Sequence, residues 1–368
     1  MHVRYSYLQQ QFENCDDLWQ ELKDLVATGD FTLGKPLIAF EERFADLIGS
    51  AHAIGVNSGT DAIKISLRAL GVEHGSEVIT AANTFVATVG AIAELGATPV
   101  FVDCDETFCM DVSQVAAAIT SRTSAIVPVH FTGYMTDMRV LGPIAEEHGL
   151  EVVEDACQSI LGAIDGKNAG TWARTGAFSL HPLKNLNVWS DGGVIVTSDD
   201  ALATKLRLLR NHGLADRDTV EMLGFNSRLD TLQAVVGNWL IGQTQAIADK
   251  RIANAARYDQ ALGELPQIRI PTRPANFRIV YHLYMVLADD RDGLLDYCLR
   301  RGVEAKVHYP VPIYRQPAVA HLGYRSGDFP VADMQARNAI TFPCDQHLSD
   351  EEIDYVIETV SDFYQSRK

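Results

Sequence analysis

Between about Ala53 and Thr197, short β-rich runs alternate with stretches of helical periodicity, and this alternation constrains the fold more than any other feature. Parallel neighbours need a crossover between them, so such a series builds βαβ units and a mostly parallel sheet covered by helices. The predicted strands are EVITA (77–81), TPVFVDCD (98–105), SAIVPVHF (124–131), LEVVEDA (150–156), GAFSL (176–180) and GGVIVTS (192–198). Between them, DAIKISLRAL places Ile63, Leu67 and Leu70 on one helical face, and VATVGAIAEL and MRVLGPIAEEHG behave alike.

Residues 199–263 read as helix-rich, broken at Gly213 and in GFNSR, with Leu229, Leu232, Val236 and Leu240 sharing one apolar face. After Pro266 the character changes. Pro271 and Pro274 punctuate the chain, then YHLYMVLA reads as a strand, RDGLLDYCLRRG as a helix and EAKVHYP as a strand. The expectation is a large α/β domain over 1–250 and a smaller α+β domain over 251–368, with the boundary somewhere in 240–275. With 368 residues and 47% hydrophobic content the chain can bury a large core.

A formal charge of −17 argues against a general nucleic-acid binder, so an anionic ligand must be met by local donors. Six cysteines occur without a CxxC pair, which reads as reduced thiols in a cytoplasmic protein. The opening MHVRYSYLQQQFENCDD has no apolar signal region, and no run approaches a membrane span. No GxxxxGK[ST] or GxGxxG is present; the lookalike at Gly162, Gly166 and Lys167 has the wrong spacing. A nicotinamide-dependent dehydrogenase is thereby disfavoured.

Three constellations carry chemistry. Ser58, Gly59 and Thr60 in VNSGTDAIKISL open a helix, where free N–H groups and the positive dipole end suit a phosphate; an ordinary N-cap is the alternative. Asp155 ends an apolar β run in LEVVEDACQSI, at the sheet edge where ligands bind, and is either the counter-charge of a buried cation or a loop carboxylate. Gln158 can face the same space. Lys184 sits in FSLHPLKNLNVWSDGGVIVT beside Ser179 and His181, and Asp191-Gly192-Gly193 supplies a tight turn with permissive backbone. A poised amine makes an imine with a carbonyl, and burial lowers its pKa. A phosphate cradle, an aspartate for a ring nitrogen and a lysine for an aldehyde are the three handles of pyridoxal phosphate.

SGTDAIKISL, ANTFVATVGAI, EDACQS, HPLKNLNVWSDGGVIVT, RNHG, GFNSRLDTLQA and VHYPVPIYRQPA occur in this order. Together they resemble the DegT/DnrJ/EryC1/StrS family of sugar aminotransferases, over nearly the whole chain from FTLGKPLIAFEERFA to LSDEEIDYVIETV. The resemblance implies an aspartate-aminotransferase-like fold (fold type I of the pyridoxal-phosphate enzymes). It also implies a homodimer with shared active sites. It makes Lys184 the covalent anchor of the cofactor, Asp155 the partner of its ring nitrogen, and Gln158 a neighbour of the ring hydroxyl. By the same resemblance, Phe85 is expected to stack on the ring face, Gly59, Thr60 and Ser179 to meet the phosphate, and Asn226 to reach the phosphate from the other subunit. The resemblance also implies that His181, Arg228, His308 and Tyr309 fall near the sugar.

The implied reaction moves an amino group from L-glutamate to a nucleotide-linked ketosugar, and VHYPVP resembles the version found in enzymes acting at C3 rather than C4. In dehydrating relatives a histidine replaces the lysine, which Lys184 argues against; Lys184, Asp155 and Gln158 together argue against a non-catalytic regulatory relative. Leu183, Asn187-Val188-Trp189 and Cys157 depart from the family pattern, the first two beside the expected sugar site.

Overall fold

A computed structural model describes residues 1–366; the last two residues of the expected small domain lie outside the described residues. Two helices come first, α1 (Asp16–Thr28) and α2 (Lys35–Ile48), and each ends at a glycine in the left-handed region, Gly29 and Gly49. The αβ alternation follows as β1 (His52–Val56), α3 (Gly59–Ala69), β2 (Glu77–Ala81), α4 (Val86–Glu94), β3 (Thr98–Val102) and β4 (Thr123–Ile126). It continues with α5 (Met138–Glu147), β5 (Glu151–Asp155), β6 (Thr175–Ser179), β7 (Gly193–Thr197), α6 (Asp200–Arg210) and α7 (Thr231–Ile241).

These strands form one seven-stranded sheet in the order β1-β7-β6-β5-β4-β2-β3. All neighbours are parallel except β7, which runs antiparallel to both β1 and β6. The strands alternate between two cores. Ile54, Val78, Ala125, Val153, Ala177 and Ile195 face α3, α4 and α6, whereas Ala53, Ile79, Ile126, Val152, Phe178 and Val194 face α2 and α5. A sheet covered on both faces is apolar at successive positions, which is why EVITA and GVIVT are buried throughout.

The 19-residue helix α8 (Thr244–Leu262) leads out of this body without a break at residue 250. Beyond it, β8 (Ile268–Arg269), β9 (Tyr284–Ala288), α9 (Arg291–Arg300), α10 (Pro330–Asn338), β10 (Ala339–Phe342) and α11 (Asp350–Gln365) surround an antiparallel three-stranded sheet in the order β8-β9-β10.

All six predicted strands of the large sheet form; its edge strand β1 was not among them. Three expectations need correction. EAKVHYP is not a strand: Lys306 makes a single bridge to Thr341, and Pro310 and Pro312, which lack N–H donors, stop the ladder. Leu229 precedes α7 rather than lying in it, and Leu232 is 42% exposed while Leu229, Val236 and Leu240 are buried. The glycine pair 192–193 serves space rather than a left-handed turn, since neither has a positive φ. A Cβ on Gly193 would lie 2.2 Å from the Ser58 carbonyl oxygen, and one on Gly192 2.8 Å from Val188.

Gly193→Ala should therefore destabilise the protein by about 1–3 kcal/mol or more, because the Ser58 carbonyl oxygen is backbone and cannot swing aside. Gly90→Ala, inside α4 with nothing within 4 Å of the added carbon, should stabilise it by about 0.5–1 kcal/mol. Equilibrium denaturation of both variants checks the contrast; equal effects would show that backbone proximity at Gly193 is not limiting.

Candidate active site

The carboxyl ends of β1, β2, β5 and β6 and the start of antiparallel β7 meet at one edge of the sheet. β1 runs into α3 through Ser58, the N-cap, whose Oγ accepts the Asp61 N–H at 3.1 Å. The N-cap alternative is thus realised, and it leaves the first-turn N–H groups of α3 and the dipole end aimed at the same edge. Gly59 has no room for a side chain: a Cβ would stand 2.7 Å from Ser179 Cβ and 2.9 Å from Cys157 Sγ.

Asp155 is the last residue of β5 and is 4% exposed. Its Oδ2 accepts from the Thr88 hydroxyl at 2.8 Å and its Oδ1 from the Cys157 N–H at 3.2 Å. Gln158 Oε1 accepts the Thr132 N–H at 2.8 Å, and Ser179 Oγ at the end of β6 accepts the His181 N–H at 3.3 Å. Lys184 sits in the turn that follows, its N–H donating to the His181 carbonyl at 2.8 Å. Its Nζ has no carboxylate in ion-pair range among the described residues and lies 3.3 Å from His282 Nε2.

One cavity of about 310 Å³ is lined by Ser58, Gly59, Thr60, Phe85, Asp155, Gln158, Ser179, His181, Lys184, His308 and Tyr309. Arg228 and Asn226 are not part of it. They line a neighbouring depression with Asn57, Asp230 and Gln233, and Asp191 borders both spaces. Asn226 is exposed and is not a helix cap; Asp230 caps α7, its N–H bonded to Gln233 Oε1 at 3.2 Å. Phe85 is 51% exposed at the start of α4, its ring 6.0 Å from that of Tyr309. Of the unusual positions, Leu183 lines the cavity, but Asn187 and Val188 are buried elsewhere, with Asn187 Nδ2 on Gln11 Oε1 at 3.1 Å. Trp189 packs against Phe12 and Trp19.

Desolvation dominates the electrostatics. Burial holds the Lys184 amine below the ordinary lysine range, partly countered by Cys157 and Asp155. Burial, then Lys306 and Lys184, lowers His308 to about 4; burial and Lys184 also lower His181. Burial and Asp155 raise the Cys157 thiol and the Tyr309 phenol. The histidines and the phenol are consequently neutral at neutral pH. The Asp155 side chain and the Lys184 amine line one cavity.

Sequence reasoning missed Thr88, His282, Tyr5 and Lys306, all on the cavity wall. Thr88 and His282 had one weak signal, a polar side chain inside an apolar run.

The residues fit pyridoxal phosphate. A helix N-terminus that excludes side chains at Gly59 offers the anion cradle, Asp155 the counter-charge and Lys184 an amine without a competing carboxylate. Thr88→Val should destabilise the fold by about 1–3 kcal/mol by depriving a buried carboxylate oxygen of its donor. Denaturation curves measure this, and a wild-type midpoint would mean that the hydroxyl does not hold Asp155.

Among known proteins, the chain is 39% identical to a "Pleiotropic regulatory protein" of Geobacillus stearothermophilus, covering 99% of each sequence. It is also 39% identical to the dTDP-3-amino-3,4,6-trideoxy-alpha-D-glucose transaminase of Streptomyces venezuelae, over 92% of this chain and 90% of that one. Its backbone superposes on the crystal structure of S. venezuelae DesV in complex with a ketimine intermediate with a TM-score of 0.96, at 36% identity and 98% coverage of both chains. The family model for these proteins matches residues 14–361, and the chain belongs to the DegT/DnrJ/EryC1/StrS aminotransferase family, whose cofactor is pyridoxal phosphate.

Proposed function

We propose that this aminotransferase moves the amino group of L-glutamate to a nucleotide-linked 3-ketosugar, giving a 3-aminosugar. The observation that carries the reading is Lys184, an amine kept below its usual pKa and lining one cavity with Asp155. Support for C3 comes from the relative named for a 3-amino sugar and from the VHYP segment, whose His308 and Tyr309 line the cavity.

Bound pyridoxal phosphate supplies a carbonyl for the amine and a ring that holds the electron pair left when a Cα proton departs. The chain's own residues do the rest. Asp155, oriented by Thr88 and the Cys157 N–H, keeps a proton on the ring nitrogen. Gly59, Thr60 and Ser179 would hold the phosphate at the α3 N-terminus, Gln158 would border the ring hydroxyl, and Phe85 would cover a ring face, all of them lining the cavity. Lys184, its neutral form favoured by burial, takes a proton from carbon and returns one. His181, His308 and Tyr309 are neutral and suit a sugar's hydroxyl groups by hydrogen bonding.

The diphosphate of the substrate requires local cations, and Arg228 is the candidate. Asn226, exposed, and Arg228, half-buried, stand outside their own chain's cavity. Trp19 (51%), Phe31 (44%), Ile38 (53%) and Leu232 (42%) are exposed large apolar side chains on or next to α1, α2 and α7. Both features support a two-fold dimer in which Asn226 serves the partner's phosphate site.

The regulatory name of one relative favours a second reading, a binding protein that has lost catalysis. Lys184, Asp155 and Gln158 are all in place against it.

Lys184→Ala should abolish transamination with the fold intact, and Asp155→Asn should slow it on the order of 10²- to 10⁴-fold. UDP- and dTDP-linked 3-keto and 4-keto sugars, scored by loss of the aminated cofactor's absorbance, test the substrate. Turnover of only the 4-keto sugars would overturn the C3 assignment, and no response to glutamate would favour the binding protein.

Mixing Lys184→Ala with Asn226→Asp under subunit exchange should restore activity, because one site of each mixed dimer then has both native residues. Confirmed exchange without recovery would remove Asn226 from the partner's site.

A further inference from the structure

The Lys184 amine is within hydrogen-bond distance of His282, a residue far along the chain. The two residues are 98 positions apart, and His282 Nε2 stands 3.3 Å from Nζ. The backbone carrying this imidazole is tied from several directions. Asn185 Nδ2, next to the lysine, donates to the Val280 carbonyl at 3.2 Å. The Val280 N–H donates to the Gly133 carbonyl at 3.2 Å and the Leu283 N–H to the Thr132 carbonyl at 3.1 Å. Gly133, at φ +98°, has no space for a Cβ, which would fall 2.7 Å from the Tyr281 nitrogen. From α8, Arg251 Nη1 reaches the carbonyls of Tyr281 (3.2 Å) and His282 (3.4 Å). Thr132 is itself held by Gln158 Oε1 at 2.8 Å, so the cavity wall and the histidine segment form one hydrogen-bonded frame.

We propose that His282 is a positioning residue for the proton that Lys184 carries: its Nε2 accepts a hydrogen bond from the Nζ ammonium and sets where the other N–H bonds point. The inference rests on the proton-carrying role proposed above for Lys184. When the amine takes a proton from carbon it becomes an ammonium with three N–H bonds. One is held by the imidazole lone pair, and another stays free to deliver a proton to carbon, after which the amine is neutral again. The imidazole neither gains nor loses a proton.

Two observations support this direction for the bond. His282 Nδ1 is buried without a hydrogen-bond partner in the chain, and His282 also borders a second cavity of about 20 Å³, walled by Tyr5, Arg251, Cys344 and Asp345. That volume accepts about one water. The carboxylate in the wall gives a hydrogen on Nδ1 somewhere to go through such a water, which leaves Nε2 as the acceptor. The charged and titratable groups around the ring are Lys184 and His181 on the loop after β6, Arg251 on α8, His308, Tyr5, Cys344 and Asp345. Burial, then Lys184, Arg251, His308 and His181, keeps the imidazole neutral.

The test uses the full chain with His282→Leu, which removes the acceptor, and His282→Gln, which keeps one. In cofactor-free protein, the pH dependence of Lys184 acylation, followed by peptide mass spectrometry, reads the amine's midpoint. The leucine variant should shift it down by about one unit, because the charged form loses a hydrogen bond, and the glutamine variant should restore it. In cofactor-loaded protein reacting once with glutamate alone, the leucine variant should slow proton transfer by about 10- to 100-fold. Its Cα-deuterium isotope effect should rise while glutamate affinity holds. An unchanged or raised midpoint overturns the proposal, as does equal loss in both variants. If the leucine variant does not fold, His282→Asn, polar but too short to reach, replaces it with the same expectation. No sugar enters this half-reaction, so failure of the ketosugar assignment leaves it intact. Activity surviving in Lys184→Ala would instead sink the lysine's role.

Discussion

The site depends on a close approach of backbone to backbone. The N-terminus of α3 lies against the ends of β6 and β7, where a single methyl group on Gly193 would reach within 2.2 Å of the Ser58 carbonyl and one on Gly59 within 2.7 Å of Ser179 Cβ. Without side chains at these two points, the helix dipole, the Asp155 carboxylate and the Lys184 amine converge on one space. Larger residues would force the helix away from the sheet edge and open the anion cradle.

Local fields, not overall charge, control that space. The chain carries a formal charge of −17, yet its cavity presents a helix N-terminus, a desolvated amine and neutral histidines. The Asp155 carboxylate is held by a hydroxyl and a backbone N–H rather than by a cation. A ring-nitrogen cation brought there by pyridoxal phosphate would meet a carboxylate whose charge is not already spent. The same economy applies to Lys184, whose amine has an imidazole rather than a carboxylate beside it.

The chain beyond α8 takes part in the site although it contributes no strand to the seven-stranded sheet. His282 precedes β9, and His308 and Tyr309 lie in the segment that leaves Thr341 after one bridge. Failure of EAKVHYP to continue as a strand has a consequence: the chain turns, and its aromatic side chains reach the cavity instead of pairing in the ladder. Asn226 and Arg228 remain apart from the cavity within one chain, in keeping with a site completed by a second copy.

Periodicity and end signals determined much of this protein. The apolar runs placed the strands of the large sheet, the position of Asp155 after LEVVE placed it on the carboxyl edge, and Ser58 ahead of a helical run marked an N-cap. Such features depend on neighbours along the chain, so they are legible in one dimension. Gly193 looked like a source of backbone freedom and Gly59 like part of a helix start, and only the fold revealed both as points of contact between separate strands and helices. Leu232 shared a helical period with buried residues but emerged on the surface, since period assigns a face and not what covers it. Thr88 against Asp155 and His282 against Lys184 join residues 67 and 98 positions apart. No local pattern encodes those pairs; the sheet order and the packing of the segment before β9 against the loop after β6 bring them together.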